Sequence, residues 1–166
     1  MMSEEKLFLA KGGRPLQFQD FERLENSLNF KFPKAFKTLY FKCNGGNPNL
    51  EFWDGDADYD PFRIEYFNPV LTMGEKCPED FFDLLGFALS MIEKKVIPEN
   101  LIPFAFDEAD NFICFERESG AVIYFAADAF RPDVHPSVNH LAVQRFLSHS
   151  FEEFCTALVA EDDLDF

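Results

Sequence analysis

The sequence predicts a single α+β domain in which an antiparallel sheet meander packs with about four helices. Three observations predict it. Apolar residues recur at helical spacing near both ends of the chain and once in the middle, strand-like runs separated by short turns fill residues 101–126, and no repeat, low-complexity tract or Pro/Gly/Ser linker divides the chain. The order helix, helix, strands, helix, strands, helix is not the strand–helix alternation of a parallel sheet. At 166 residues the chain is one domain's worth, 1–166, with its core expected over about 18–160.

The elements follow in order. Phe18, Phe21, Leu24, Glu25 and Leu28 predict an amphipathic helix over 18–29. Phe32-Pro33 restarts the chain, and proline suits the first turn of a second helix with Phe36, Leu39, Tyr40 and Cys43 on one face. Asn44-Gly45-Gly46 ends that helix, because glycine takes the left-handed conformation that closes one. Leu50 to Trp53 and Phe62 to Phe67 read as short strands around an aspartate-rich turn. A third helix is expected over about 78–95, with Pro78, Glu79 and Asp80 at its start and Lys94-Lys95 against its C-terminal dipole. Its centre, from Phe81 to Ile92, is apolar around much of the circumference. Three strands are expected at 101–106, 111–116 and 121–126, and residues 139–147 fit either strand or helix. Ser150-Phe151-Glu152-Glu153 is a capping box opening a last helix with Phe151, Phe154, Cys155, Leu158 and Val159 on one face.

Composition narrows the function. Thirty Asp and Glu stand against 15 Lys and Arg, a net charge of −15, yet 17% of residues are aromatic and 23 are Phe. Acidic chains poor in aromatics are disordered, whereas this one has the side chains to fill a core. The acid is uneven: residues 1–50 carry a net +3 and residues 51–166 a net −18. Direct contact with nucleic acid or an anionic membrane needs clustered Lys and Arg, so neither is expected. No run approaches the ~18 consecutive apolar residues of a membrane span. The N-terminus carries acid where a signal peptide needs positive charge, and Cys43, Cys77, Cys114 and Cys155 lie far apart. A cytoplasmic protein with reduced thiols is the expectation.

Together these landmarks resemble the SUKH superfamily, which includes fungal cell-wall assembly regulators of the Smi/Knr type and many bacterial immunity proteins. The opening is matched by Leu24-Glu25, Phe32-Pro33, Phe36 to Tyr40 and Asn44-Gly45-Gly46. The middle is matched by Ile102-Pro103-Phe104-Ala105, Asp107, Asn111-Phe112-Ile113-Cys114 and Val122-Ile123-Tyr124-Phe125, and the close by Ser150-Phe151-Glu152-Glu153-Phe154. The resemblance spans about residues 18–160. Two departures stand out: Ala109-Asp110 replaces the glycine often found before the position of Asn111, and Ala126-Ala127 stand where a Trp is frequent. The resemblance implies a binding domain with no catalytic residues, typically an immunity protein that binds and blocks a toxin domain, often a nuclease. The alternative within the resemblance is a regulatory or scaffold module.

The residues offer little chemistry of their own. Asp54, Asp56, Asp58 and Asp60, with Glu65 at the twelfth position, match calcium-loop spacing, but Tyr59 occupies the place that needs glycine and Pro61 stiffens the next step. The same loop reads alternatively as a solvated turn or as a patch facing a basic protein. His135, His140 and His149 lack zinc or metalloprotease spacing, Cys43 sits on an apolar helix face, and no metal or other cofactor is expected. Phe62, Phe67 and Phe130 lie beside turns and acids, where they either pack on the sheet or anchor a partner. The expected partner is a basic toxin domain. The expected contributors to binding it are Asp54, Asp56, Asp58 and Asp60, together with Asp107, Glu108 and Asp110.

Overall fold

A computed structural model describes residues 6–56, 58, 60–70, 83–127, 133 and 135–164. The chain opens with β1 (Leu9–Ala10), α1 (Phe18–Leu28) and α2 (Lys34–Lys42), followed by β2 (Asn47–Pro48), β3 (Phe52–Trp53) and β4 (Phe62–Phe67). After α3 (Leu84–Glu93) come β5 (Leu101–Asp107), β6 (Phe112–Glu116) and β7 (Val122–Phe125). The chain closes with α4 (Pro136–Ala142), β8 (Gln144–Ser148), α5 (Phe151–Thr156), β9 (Leu158–Val159) and a 3-10 turn at Glu161–Asp163. The fold is thus a single α+β domain, as the sequence predicts.

The sheet is a meander longer than expected. Each strand from β3 to β7 pairs antiparallel with its successor, and β9 returns to the free edge of β3, giving the order β8-β7-β6-β5-β4-β3-β9. Register slips at Ile64/Tyr66, Pro103/Ala105 and Val122/Ile123 increase local twist and curl the sheet. The slip at Pro103 also explains how a proline sits inside a central strand, where it has no N–H to give the ladder.

Helices cover both faces, so β5 is buried on both sides, with Leu101, Ile102, Phe104 and Ala105 sealed from solvent. On one face α1, α2 and α5 bury Phe21, Phe36, Tyr40, Phe151 and Phe154 against Phe104 and Phe115. Phe36 is the hub. Its ring centroid lies 4.2 Å from that of Tyr40, 5.1 Å from Phe32, 5.2 Å from Phe151, 5.3 Å from Phe115 and 5.7 Å from Phe104. On the other face Phe87, Met91 and Ile92 of α3 pack with Phe112, Cys114, Ile123, Phe125 and Val143.

Two polar ties hold the helical face in place. The buried Glu25 carboxylate accepts from Phe32 N at 2.7 Å and from Lys37 Nζ at 3.0 Å, fixing α1 to the start of α2. Asn44 is 1% exposed; its Nδ2 donates to the carbonyls of Arg14 (2.9 Å) and Val70 (2.6 Å), and its Oδ1 accepts from Val70 N at 2.7 Å. Gly45 and Gly46 follow at φ +76° and +110°, and Gly46 exchanges both backbone hydrogen bonds with Phe67. α2 stops before the Asn-Gly-Gly run, at Cys43 in an extended conformation (φ −155°), so the two left-handed glycines clasp three chain segments instead of closing the helix as the sequence predicts.

The structure corrects several element boundaries. α3 begins at Leu84 with Asp83 as its cap, whose Oδ1 accepts from Gly86 N at 2.8 Å; Pro78, Glu79 and Asp80 lie outside the described residues. As an outer-layer helix α3 leaves Leu89 47% exposed, despite its apolar circumference. Residues 139–147 divide between helix and strand, because α4 runs into β8. α5 ends at Thr156 rather than carrying Leu158 and Val159, since β3 offers a free edge to pair with them. At its start Ser150 Oγ accepts from Glu153 N at 3.1 Å, but the Glu153 carboxylate takes His149 N instead of the cap residue's own.

Phe36→Ala should cost about 3–5 kcal/mol of unfolding free energy. Urea denaturation measures it, and a loss under about 1 kcal/mol would contradict the hub role.

Candidate functional site

Antiparallel pairing brings both acidic turns to one end of the sheet. The end of β3, the start of β4, the end of β5, the start of β6, the end of β7 and the start of β8 all lie there. The loop of residues 54–61 and the turn of residues 108–111 are therefore neighbours, and Glu108 N donates to Arg63 O at 3.2 Å between them.

An aromatic strip runs beneath these turns. Trp53 stacks between Phe62 (5.7 Å) and Phe154 (6.3 Å), and Phe62 lies 4.7 Å from Tyr124. The Tyr124 hydroxyl donates to Asp107 Oδ2. From the far edge of the sheet, Arg145 on β8 places its guanidinium 5.6 Å from the centre of the Trp53 ring and 3.7 Å from Asp56 Oδ2. The curl thus folds β8 back toward β3, and Arg145 crosses the mouth. At Gly55 a Cβ would stand 2.6 Å from the Trp53 ring, so only glycine lets the loop double so closely over the indole.

The seven predicted acids have different fates. Asp54, Asp58 and Asp60 are exposed, and Asp54 is held in place by its N–H to Ala157 O at 3.0 Å. Asp56 is half-buried, accepting Asp58 N at 2.9 Å on one oxygen and facing Arg145 with the other. Glu108 and Asp110 are exposed, and Asp110 takes φ +62°, the left-handed conformation that aspartate tolerates. It thereby fills the turn from which the glycine is missing. Asp107 is different: it is 3% exposed, with Oδ1 accepting Ala109 N and Asn111 N, both at 2.9 Å. Both of its oxygens are occupied in building the turn. It is buried beneath the acidic face, unlike the other acids expected to bind a partner, and its carboxylate serves the turn and Tyr124.

Among the described residues no group of three or more His, Cys, Asp or Glu is placed to hold a metal ion. Glu65 sits on β4 beside Arg63, with 3.8 Å between Oε2 and Nη1. His135 caps α4, His140 Nε2 meets Lys95 O at 2.9 Å, and His149 packs on Phe146. Phe67 is fully buried, Phe62 belongs to the strip, and Phe130 lies outside the described residues. Burial raises the Cys114 thiol pKa, and burial with the nearby Glu152 charge pushes Cys155 up to about 12. Sequence reasoning missed Trp53, Tyr124 and Arg145 as parts of the site. The alternation of β7 and β8, which puts Tyr124 opposite Arg145, was the available signal.

The arrangement suits recognition of a basic surface: exposed carboxylates on two braced turns above apolar rings that hold them at fixed spacing. Among the described residues no helix is long and apolar enough to cross a membrane. A family model described as SMI1 / KNR4 family (SUKH-1) matches residues 15–156. Comparison with curated proteins found no match.

Tyr124→Phe should destabilise the fold by about 1–2 kcal/mol, because it removes one of the donors to the buried Asp107 carboxylate. Thermal or urea melts measure this, and an unchanged midpoint would show the bond to be dispensable. At pH 8, well below its raised pKa, Cys155 should stay a thiol and react slowly with Ellman's reagent in the native protein. Rapid labelling of Cys155 before unfolding would contradict its protected state.

Proposed function

Because this chain belongs to the SMI1/KNR4 family (SUKH-1), whose model matches residues 15–156, we propose that it is an immunity protein which neutralises a cognate toxin by stoichiometric binding. The family is a generally non-enzymatic, immunity-type domain. The toxin is a polymorphic or contact-dependent effector, most simply a nuclease, because an enzyme that binds nucleic acid presents a basic cleft. Inhibition takes place in the cytoplasm, where such a toxin meets its substrate.

One observation carries the reading. Asp54, Asp58, Asp60, Glu108 and Asp110 are exposed together at one end of the sheet. Fixed negative charge of this kind accelerates encounter with a basic cleft and excludes partners of like charge. Affinity then comes from apolar anchors buried at the contact, for which the half-buried Phe62 and Tyr124 lie closest to the acids. Nothing in this mechanism requires proton transfer, a nucleophile or a cofactor. The protein acts by occupying the site.

Co-expression with the product of an adjacent toxin gene is the decisive experiment. A one-to-one complex in which the toxin's nuclease activity is lost supports the proposal. An abundant cellular protein as sole partner, with no toxin bound, would favour the regulatory or scaffold role instead. Within such a complex, replacing Asp54, Asp58 and Asp60 by Asn should slow association by about 10-fold at low salt and much less at 0.5 M. Stopped-flow mixing reads the rate, and unchanged kinetics would remove this loop from the interface.

A further inference from the structure

A second surface has the opposite character. Between α2, α5 and β9 runs an open groove of about 870 Å³, floored by Leu39, Leu50, Phe151 and Leu158. Its floor is apolar, but its walls are charged and unlike each other. Lys34, Thr38 and Lys42 follow one another at four-residue intervals along α2, and Lys6 joins them. Across the groove stand Glu152 on α5 and Asp163 in the closing 3-10 turn. Lys34 and Lys42 are exposed, and among the described residues the side chains of Lys6, Lys34 and Lys42 make no ion pair. This contrasts with Lys37, one position off the same wall, which is spent on Glu25.

In a protein of net charge −15, an unpaired row of lysines beside apolar surface is a local inversion of the overall field. A single-charged amphiphile could satisfy only one of these cations, whereas repeated cations at helical spacing match repeated anions. Lys34 and Lys42 are two turns apart, about 12 Å along the axis, the distance between acids seven or eight residues apart on another helix. Laying an amphipathic helix in a groove of this kind is a known mode of recognition, with apolar anchors at i, i+3, i+4 and i+7.

We propose that the α2/α5 groove binds an amphipathic helix of a partner protein, its apolar stripe on Leu39, Phe151 and Leu158 and its acidic flank on Lys34 and Lys42. The opposite flank, facing Glu152 and Asp163, is neutral or basic. Leu158 pairs with Trp53, but none of the acids or rings of the acidic end lines the groove and its lysine wall lies on α2, so the groove stands independently of the toxin-binding proposal.

The test uses the full chain and a fluorescent synthetic helical peptide with a leucine stripe and glutamates along one flank. Fluorescence anisotropy should show saturable one-to-one binding despite the like net charges. The Lys34→Glu/Lys42→Glu variant should bind about 10-fold more weakly or worse, since two exposed attractions become repulsions. A matching peptide with lysine in place of glutamate controls for folding: the double variant should bind it at least as well as the parent does. The Asp54→Asn/Asp58→Asn/Asp60→Asn variant should retain glutamate-peptide binding within about 3-fold at 0.15 M salt. Absence of saturable binding, or equal affinity in the lysine variant, would overturn the proposal. So would concentration-dependent dimers abolished by that variant, which would make a second copy the occupant, or lysine-dependent binding of dodecanoate without peptide binding.

Discussion

The constraint on which the structure rests is the burial of Phe36 where two helices meet the curled sheet. Its ring touches residues from α2, α5, β5 and β6, elements that span Phe32 to Phe151 in the chain. No two-element subset can enclose it. Aromatic pairs also prefer edge-to-face and offset stacking, so enclosing it fixes angles as well as distances: Phe104 and Phe151 meet it edge-on and Tyr40 nearly parallel. The abundance of phenylalanine is thus an answer to a geometric problem, that of filling the gap under a strongly curled sheet with rigid, flat side chains.

From that core the two surfaces follow by separate routes. The acidic end depends on curl. Without register slips the sheet would be flatter, and Arg145 on β8 could not reach Trp53 and Asp56 near the other edge. The groove depends on where α5 stops. Had the helix continued through Leu158, β3 would keep an open edge and the groove would lose its floor; the switch to β9 closes the first and builds the second. One short change of conformation therefore both protects a sheet edge and creates a recess.

Much of this was legible in the sequence, and what was not had a physical cause. α1 and α2 announce themselves by the period of Phe21, Leu24, Leu28, Phe36 and Tyr40, whereas the left-handed φ of Gly45 and Gly46 serves the join to Phe67 and not the end of α2, which the extended Cys43 caps. β5 to β7 show nearly continuous apolar runs, and β4 alternates Phe62, Ile64 and Tyr66 with Arg63 and Glu65. The two-residue strands β1, β2 and β9 are different, because they exist through pairing with distant partners rather than through propensity. Among the acids, Asp107 looks in sequence like Asp54, yet its carboxylate is consumed by the amides of Ala109 and Asn111 and by Tyr124. The first two partners are the local turn chemistry of aspartate, readable in principle; the third arrives from 17 residues away. The groove was invisible for the same reason, since its walls come from α2, α5 and the closing turn and become walls only when assembled.

The clasp at Asn44 carries one more consequence, for the chemical ageing of the chain. Asn followed by Gly is the dipeptide in which the next amide nitrogen most readily attacks the side-chain carbonyl, expelling ammonia to form a succinimide that water opens to aspartate or isoaspartate. Here Nδ2 is held by two carbonyls, Oδ1 by an amide, and the attacking nitrogen of Gly45 is itself bonded to Cys43 O at 2.9 Å. Ring closure therefore has to wait for the clasp to open. The rate at which ammonia leaves residue 44 becomes a clock for local opening where α2, the N-terminal segment and β4 converge. Each molecule keeps that record covalently. Once the amide has become a carboxylate, the donor that gripped Arg14 O and Val70 O is gone, and the join cannot close as before.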